Sequence, residues 1–300
     1  MTARDINFKN EIRELTPLDR EYPERLRMIP NPPSTLYVKG KLPPDDQPTV
    51  AIIGSRTATE YGLDVARTFG RVLASRGVGI VSGMALGADS AGQWGALDGK
   101  GSTYAVLGSG INICYPARNY RLYDEILKND GGIMSEVPLD SPPLPKQFAS
   151  RNRIISALSD IVVVIEARER SGTSITVNNA LEQGKQIFAL PGRITDPMSK
   201  GCLQLIKEGA EILTSPEDLL EYLHLKTRGE QLILEKDTSV LNPKQKAVYD
   251  ILETDAAHLD TLVPKCGMPV PELTAILLEL EILGFSECTK TGFYRRKISL

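Results

Sequence analysis

Short apolar segments alternate with amphipathic segments through the middle of the chain, from Thr49 to about Leu223. Six apolar segments, at residues 50–53, 79–81, 103–107, 132–134, 161–165 and 186–190, show no regular alternation with polar residues. Such runs are typical of central strands in a parallel sheet that is covered on both faces. Between them, segments such as residues 61–76 carry apolar residues at helical spacing. The pattern predicts an α/β fold, an extended Rossmann-like, doubly wound and mostly parallel sheet with right-handed crossovers.

Different patterns flank this block. Residues 1–46 form a lead-in segment that ends in a proline-rich stretch and holds one candidate strand at 35–39, and residues 224–242 are mostly polar and indicate a linker. Residues 243–300 predict three helices, at 243–254, 259–266 and 269–284, followed by a two-stranded wing over 286–296 that turns at Thr291-Gly292. We therefore expect a main domain over 47–223 and a small C-terminal winged-helix-like domain over 243–300.

The loops that follow the predicted strands are rich in small residues. Ligands of open α/β sheets bind at the carboxyl ends of the strands, where small residues let backbone N–H groups approach an anion. Helix N-termini add a favourable dipole there. The sequence therefore predicts a phosphate-binding edge, although any one of these glycines could equally cap a helix. The four loops are Gly54-Ser55-Arg56-Thr57, residues 82–89, Gly108-Ser109-Gly110 and Ser171-Gly172-Thr173-Ser174.

Neither common nucleotide-binding fingerprint fits these loops. The first loop lacks G-x-G-x-x-G, and G-x-x-x-x-G-K-[ST] occurs nowhere in the chain. Arg56 instead places a guanidinium in the first loop, where it could grip a phosphate through two hydrogen bonds. Residues 146–153 add three cations and the ring of Phe148 just before a predicted helix. Cations beside a stacking ring suit single-stranded nucleic acid.

A plainer interpretation of residues 146–153 stays open. The segment could be the solvated start of a helix with one arginine paired internally. Asn152, Arg153 and the apolar pair Ile154-Ile155 indicate that at least one of its polar groups turns inward to support the loops.

Composition narrows the function classes. The chain has 300 residues, and 35 basic against 38 acidic side chains give 35 − 38 = −3, so it is no polycation that coats nucleic acid without regard to sequence. The four cysteines are scattered and no histidine stands at metal-ligand spacing, so we expect neither a zinc site nor a disulfide framework, and no cofactor. No apolar run is long enough to span a membrane and the N-terminus lacks the core of a secretory signal, so we expect a cytoplasmic protein.

The ordered motifs of residues 20–222 resemble the DNA-processing protein A (DprA/Smf) family. They include VAIIGSRTATEYG, IVSGMALGADSAGQWGAL, YAVLGSGINICYP, SEVP, FASRNRIISALSD, ERSGTSITVNNALEQGKQIFALPG and KGCLQLIKEGAEILTSPEDLL. The resemblance implies a homodimeric protein that binds single-stranded DNA and is not an enzyme. It implies a mediator that protects incoming DNA and loads a RecA-type recombinase onto it during natural transformation.

The resemblance also carries DNA-binding roles over to positions of this chain. The arginine of the family's G-S-R loop contacts DNA phosphate, and the F-x-x-R-N-R segment and two glycine loops line the same site. Lys146 and Arg118 stand near basic positions of the family. The predicted DNA-binding residues are Gly54, Ser55, Arg56, Ser109, Gly110, Arg118, Lys146, Phe148, Arg151, Arg153, Ser171, Gly172 and Thr173.

The chain departs from the family pattern at four positions. In the second loop, Leu86 replaces a basic residue and Ala88 an isoleucine, and Gln93 then replaces a histidine. After Tyr115-Pro116 the family often has lysine, where this chain has Ala117 beside Arg118. The last predicted helix carries three glutamates and neither lysine nor arginine, so we expect it to contact protein and not the DNA groove.

The competing hypothesis is a nucleotide-binding hydrolase of the phosphoribohydrolase (lysine-decarboxylase-like) class. The Gly172-Thr173 pair resembles part of the catalytic loop of those enzymes, but Thr176 stands where their glutamate would be. Glu136 and Glu166 are the carboxylates best placed for acid–base chemistry, and either could simply cap a helix or pair with an arginine.

Overall fold

The structure, a computed structural model, describes residues 11–169, 171–225, 240–253 and 255–297. Contacts divide the chain into two compact units, Met1–Thr227 and Arg228–Leu300. Among the described residues, every helix is too short or too polar to span a lipid bilayer.

The first unit is built on a nine-stranded sheet with the order β1-β2-β6-β5-β4-β3-β7-β8-β9. Its strands are β1 (Ile12–Leu15), β2 (Leu36–Gly40), β3 (Thr49–Ile53), β4 (Gly79–Ser82), β5 (Thr103–Leu107), β6 (Gly132–Ser135), β7 (Ile161–Val164), β8 (Gln186–Ala189) and β9 (Glu211–Ile212). All neighbouring pairs from β6 to β9 are parallel, as in the pairing of Ile53 with Val164. The predicted doubly wound sheet is confirmed, and the predicted strands agree with β2 to β8 to within about one residue at each end.

The lead-in segment contributes more to this sheet than its sequence indicates. Strand β1, which the sequence analysis did not predict, pairs antiparallel with β2, and β2 pairs antiparallel with β6. Strand β1 has four residues, which are too few for periodicity to identify a strand. The prolines on both sides of β2 also hide the fact that it lies within a sheet. Strand β9 was missed for the same reason, since it has two residues.

Helices cover both faces of the sheet. They are α1 (Glu24–Arg27), α2 (Glu60–Ser75), α3 (Ala88–Asp98), α4 (Tyr120–Lys128), α5 (Pro145–Ala157), α6 (Thr173–Glu182), α7 (Lys200–Lys207) and α8 (Pro216–Tyr222). Alternate residues of one strand enter different cores: Tyr104 and Val106 pack in one cluster, and Ala105 and Leu107 in another. This two-sided burial explains why the strands are apolar without alternation.

The second unit has its own small core. Helices α9 (Pro243–Ile251), α10 (Leu259–Cys266) and α11 (Val270–Ile282) pack with a sheet of β10 (Ala257–His258), β12 (Phe293–Arg296) and β11 (Ser286–Lys290). The predicted wing and its turn are confirmed, and Gly292 takes the positive φ of 79° that this turn requires.

The two arginines of the wing are engaged within the unit. Arg295 is buried and pairs with Glu287, and Arg296 donates to the Tyr249 carbonyl oxygen at 2.9 Å. On α11, Glu272 pairs with Lys244 and Glu279 accepts from Gln245. These contacts of the two wing arginines stabilise the fold of the second unit.

Arg25 ties the lead-in segment to the sheet. Its guanidinium pairs with Asp160 at 3.2 Å and donates to the Thr49 hydroxyl and to the Leu158 and Gln47 carbonyl oxygens. The side chain is 17% exposed, so these bonds are largely shielded from water.

We expect Arg25→Ala to lower the free energy of unfolding by about 2–3 kcal/mol, because it removes the cation that pairs with Asp160 and the hydrogen bonds that this cation donates to several carbonyl groups. Arg67→Ala is the matched control, since the Arg67–Asp98 pair is a surface pair with Arg67 57% exposed and should contribute less than about 1 kcal/mol. Urea unfolding of the three proteins measures both values. Equal destabilisation by the two substitutions would show that Arg25 is not the tether described.

Candidate functional site

A pocket lies where the order of the sheet reverses. The chain builds β4, β5 and β6 on one side of β3 and then returns to place β7 on the other side. The loops after β3 and β7 therefore diverge at the carboxyl edge, which is where sheets of this kind bind ligands. The pocket has a volume of about 430 Å³. It is lined by Ile53, Gly54, Ser55, Arg56, Thr57, Ala85, Asp89, Pro145, Phe148, Ala149, Arg151, Asn152, Ile155, Arg168, Ser171, Gly172, Thr173, Ile175 and Thr176.

Backbone contacts hold the β3 loop in place. The Ser55 N–H donates to the Glu166 carbonyl oxygen at 2.7 Å, and the Ser55 carbonyl oxygen accepts from the Ala88 N–H at 3.2 Å. Gly87 has φ of 84°, and a Cβ there would lie 2.1 Å from the Ser55 oxygen, so only glycine fits. The loop is thus fixed while the Arg56 side chain remains exposed.

Phe148 lies close to two guanidinium groups. The Arg56 Cζ lies 5.8 Å and the Arg151 Cζ 5.9 Å from its ring centroid. The Tyr115 ring lies 5.5 Å away, and a Cβ at Gly108 would come within 2.5 Å of the Phe148 ring. The glycine of the β5 loop therefore makes room for the ring of α5, and the ring remains partly exposed.

Arg151 is buried beneath this ring, with 4% of its surface exposed. Its guanidinium donates to the Gly83 carbonyl oxygen at 3.0 Å and to the Val106 carbonyl oxygen, and its Nε donates to Asn152 at 3.2 Å. Burial lowers the pKa of Arg151 to about 10, while the charge of Asp89 favours the cation. Burial likewise raises the pKa of Asp89. Arg151 thus joins the β4 loop, β5 and α5, and supports the pocket from below.

Arg153 is also engaged within the protein. It forms an ion pair with Glu136 at 2.6 Å, with the side chains 18% and 16% exposed. It also donates to the Asn31 carbonyl oxygen at 2.9 Å. Arg153 therefore links α5 to the β6 loop and to the lead-in segment. The sequence predicted that at least one polar group of this segment turns inward, and in the structure both arginines do.

The β7 loop supplies the opposite wall. Gly172 is exposed with open space around it, and Thr173 begins α6. Arg168 lines the pocket, is exposed, and has no ion pair with any described carboxylate. Arg168 is not among the binding residues predicted from the sequence, although it stands just after a central strand, as Arg56 does.

The other predicted residues lie outside the lining of this pocket. Ser109 and Gly110 are buried: the Ser109 hydroxyl donates to the Ile113 carbonyl oxygen at 2.7 Å, and the Gly110 N–H donates to the Ser141 carbonyl oxygen at 2.8 Å. These two hydrogen bonds fix the conformation of the loop that follows β5. Lys146 and Arg118 are exposed on α5 and on the 3-10 turn Ala117–Asn119.

A second hollow of about 140 Å³ adjoins the pocket and shares Arg56, Phe148 and Arg151 with it. Its other walls are mostly apolar, with Leu86 at 36% and Tyr115 at 44% exposure. Leu86 thus faces the hollow at a place where the family has a cation. Gln93 lies instead in the core and donates to the Tyr104 carbonyl oxygen at 3.2 Å.

The carboxylates of Glu136 and Glu166, which follow strands β6 and β7, have structural partners within the protein. Glu166 is buried and accepts from both the N–H and the hydroxyl of Thr59, at 2.7 and 2.6 Å, at the start of α2. Glu136 holds Arg153, as described above. Within the described ranges, no group of three His, Cys, Asp or Glu side chains is arranged to hold a metal ion.

Comparison with known proteins identifies the family. Residues 13–224 match the sequence profile described as DNA recombination-mediator protein A, and residues 235–287 match the DprA winged helix domain. The chain belongs to this family. Protein Smf of Escherichia coli is 40% identical over 289 residues, which cover 94% of this chain and 77% of that protein. The DNA processing protein DprA of Streptococcus pneumoniae is 42% identical over 203 residues, covering 68% and 71% of the two chains.

Two solved structures agree with this membership. The crystal structure of DprA from S. pneumoniae superposes with a TM-score of 0.66 at 39% identity, covering 72% of this chain and 76% of that one. DNA processing protein A from Helicobacter pylori superposes with a TM-score of 0.64 at 32% identity, covering 71% and 96%, and that structure concerns its single-stranded DNA binding mode. The functional class is a DNA-processing recombination mediator, and the phosphoribohydrolase alternative is not favoured.

We expect Gly83→Ala to lower the free energy of unfolding by about 2–3 kcal/mol, through overpacking and lost hydrogen bonds. A Cβ there would lie 2.6 Å from the Arg151 guanidinium, which is confined by its own hydrogen bonds. Gly172→Ala is the control, because nothing lies within 4 Å of its Cβ position, and it should change stability by less than about 0.5 kcal/mol. Chemical denaturation compares them, and an unchanged Gly83→Ala protein would contradict the supporting role of Arg151.

Proposed function

We propose that the chain binds single-stranded DNA in the pocket between the β3 and β7 loops and delivers it to a RecA-type recombinase. The observation that carries this proposal is the Arg56–Phe148 pair, an exposed guanidinium 5.8 Å from a partly exposed ring. A cation that holds phosphate beside a ring that stacks on a base is the combination that binds single strands without reading sequence.

The charge distribution supports this assignment. Several arginines of the first unit pair with carboxylates, as Arg25 does with Asp160 and Arg153 with Glu136. Arg56 and Arg168, on opposite walls of the pocket, have no such partner among the described residues. Each is therefore available to a phosphate, and a negatively charged protein can still hold DNA at this edge.

We assign the predicted DNA-binding residues to two roles. Arg56, Phe148, Gly54, Ser55, Ser171, Gly172 and Thr173 contact the strand, together with Arg168, while Lys146 and Arg118 attract it from exposed positions nearby. Arg151, Arg153, Ser109 and Gly110 act from beneath by holding the loops. This division follows burial: a guanidinium with 4% exposure, like that of Arg151, cannot meet a phosphate without leaving its carbonyl partners.

The remaining parts of the proposal follow from the family. The protein works in the cytoplasm as a homodimer, which extends the DNA track and raises avidity. Residues 47–223 form the DNA-binding domain and 243–300 a domain that contacts protein. The linker predicted over 224–242 lies mostly outside the described residues. The protein is not an enzyme, a proposal that the engagement of Glu136 and Glu166 supports.

We expect Arg56→Ala to weaken binding of a labelled single-stranded oligonucleotide by about fivefold to tenfold and to reduce the slope of log affinity against log salt by about 0.7. Arg76→Ala is the matched control, because Arg76 caps the far end of α2, at the opposite edge of the sheet. Fluorescence anisotropy at several salt concentrations measures both. Unchanged binding by Arg56→Ala, or a wild type that ignores single strands, would refute the proposal.

The hydrolase alternative has its own test. The wild type, incubated with nucleoside monophosphates, should release no free base above a buffer control. Base release that is abolished by Glu166→Gln would overturn the proposal that the chain is not an enzyme.

A further inference from the structure

The start of α4 and the adjoining face of α3 expose aromatic and cationic side chains together. Tyr120 is 67% exposed at the first position of α4, and Arg121 is exposed beside it. The Arg121 Cζ lies 5.7 Å from the centroid of the Trp94 ring, which belongs to α3 and is partly exposed. Arg118 is exposed one turn earlier. We refer to Trp94, Arg118, Tyr120 and Arg121 as the Trp94 surface.

The Trp94 surface is attached to the walls of the second hollow. Asn119 donates to the Met84 carbonyl oxygen at 2.8 Å, which ties the turn before α4 to the β4 loop that carries Leu86. Tyr115, a wall of the hollow and 5.5 Å from the Phe148 ring, precedes Tyr120 by five residues. Phe148, Tyr115 and Tyr120 are thus exposed or partly exposed rings, and the short segment from Tyr115 to Tyr120 connects the hollow to the start of α4.

The carboxylates of α4 do not neutralise the arginines of the Trp94 surface. Arg121 and Glu125 have the spacing of a helical ion pair, yet Glu125 and Asp124 both contact Lys128, at 3.1 and 2.6 Å. Asp98, at the end of α3, pairs with Arg67. Arg118 and Arg121 consequently have no carboxylate partner among the described residues, as Arg56 and Arg168 have none.

An arginine without a carboxylate partner that rests against an indole ring is suited to one class of ligand. The ring restricts the guanidinium, so less conformational entropy is lost when it grips a phosphate. The exposed Tyr120 ring beside it offers a face on which a base stacks. Two arginines without carboxylate partners attract an anionic ligand and do not favour a neutral or cationic one.

We propose that the Trp94 surface is a second nucleotide-binding subsite, which extends the single strand from the Phe148 pocket past Tyr115 toward α4. This inference rests on the proposed function, since it supposes that a strand occupies the pocket. Arg118 and Arg121 bind phosphate, and Tyr120 and the exposed edge of Trp94 contact bases. The subsite is engaged by strands that reach beyond the pocket.

The experiment compares short and long strands, dT6 and dT20, against wild type, Arg121→Ala, Tyr120→Ala and Arg76→Ala. Labelled strands report affinity by anisotropy. Trp94 is the only tryptophan of the chain, so unlabelled strands report contact at this surface through its fluorescence. Thermal unfolding verifies that each variant is folded, and Arg121→Lys, which keeps the charge without the planar group, serves as a second variant at that position.

We expect dT20 to quench Trp94 in the wild type and to bind Arg121→Ala and Tyr120→Ala about five- to tenfold more weakly, whereas dT6 binding changes less than about twofold. Arg121→Lys should recover the salt dependence but only part of the affinity, and Arg76→Ala should match the wild type. Wild-type affinity of both variants for dT20, with unchanged Trp94 emission, would overturn the inference. If Arg56→Ala still weakened binding in that case, the proposed function would survive; no wild-type binding of either strand would refute both.

Discussion

The buried guanidinium of Arg151 is the interaction on which the site depends. It connects carbonyl groups of Gly83 and Val106, which belong to the β4 loop and to β5, with the helix that carries Phe148. A buried cation of this kind is costly unless its hydrogen bonds are satisfied, so the surrounding backbone has little freedom to move. This hidden contact holds the helix of the partly exposed Phe148 against the β4 loop and β5. The backbone bonds of Ser55 to Glu166 and Ala88 hold the loop of the exposed Arg56 beside it.

The two proposed subsites share one electrostatic principle. Arginines with acceptors inside the protein stabilise the structure, and exposed arginines without a carboxylate partner remain for the ligand. Arg25, Arg67 and Arg153 each have a carboxylate partner within the protein. The arginines left without one among the described residues include four around the carboxyl edge of the sheet or at the start of its helices, Arg56, Arg118, Arg121 and Arg168. A net charge of −3 is therefore compatible with a local site for a polyanion.

The architecture could be predicted from the sequence because strands that are buried on both faces consist of uninterrupted apolar residues. Uninterrupted apolar strands such as β7 and amphipathic helices such as α2 were predictable to within about one residue. Their order placed the loops at one edge and made Arg56 a candidate. The partners of the wing arginines were not predictable. Nothing in the local sequence shows that Arg295 pairs with Glu287 or that Arg296 donates to the Tyr249 carbonyl oxygen.

Within residues 146–153 the sequence alone could assign a basic, aromatic segment but not the direction of each side chain. Whether an arginine faces water or a carbonyl group depends on which elements pack against its helix, and those partners are distant in the chain: Val106 for Arg151, Asn31 and Glu136 for Arg153. The contact between Arg121 and Trp94 likewise joins two helices and leaves no local pattern. Local periodicity thus determined the sheet and its loops, while the division of the cations into supporting and available groups was decided by tertiary packing, because only packing brings distant acceptors together.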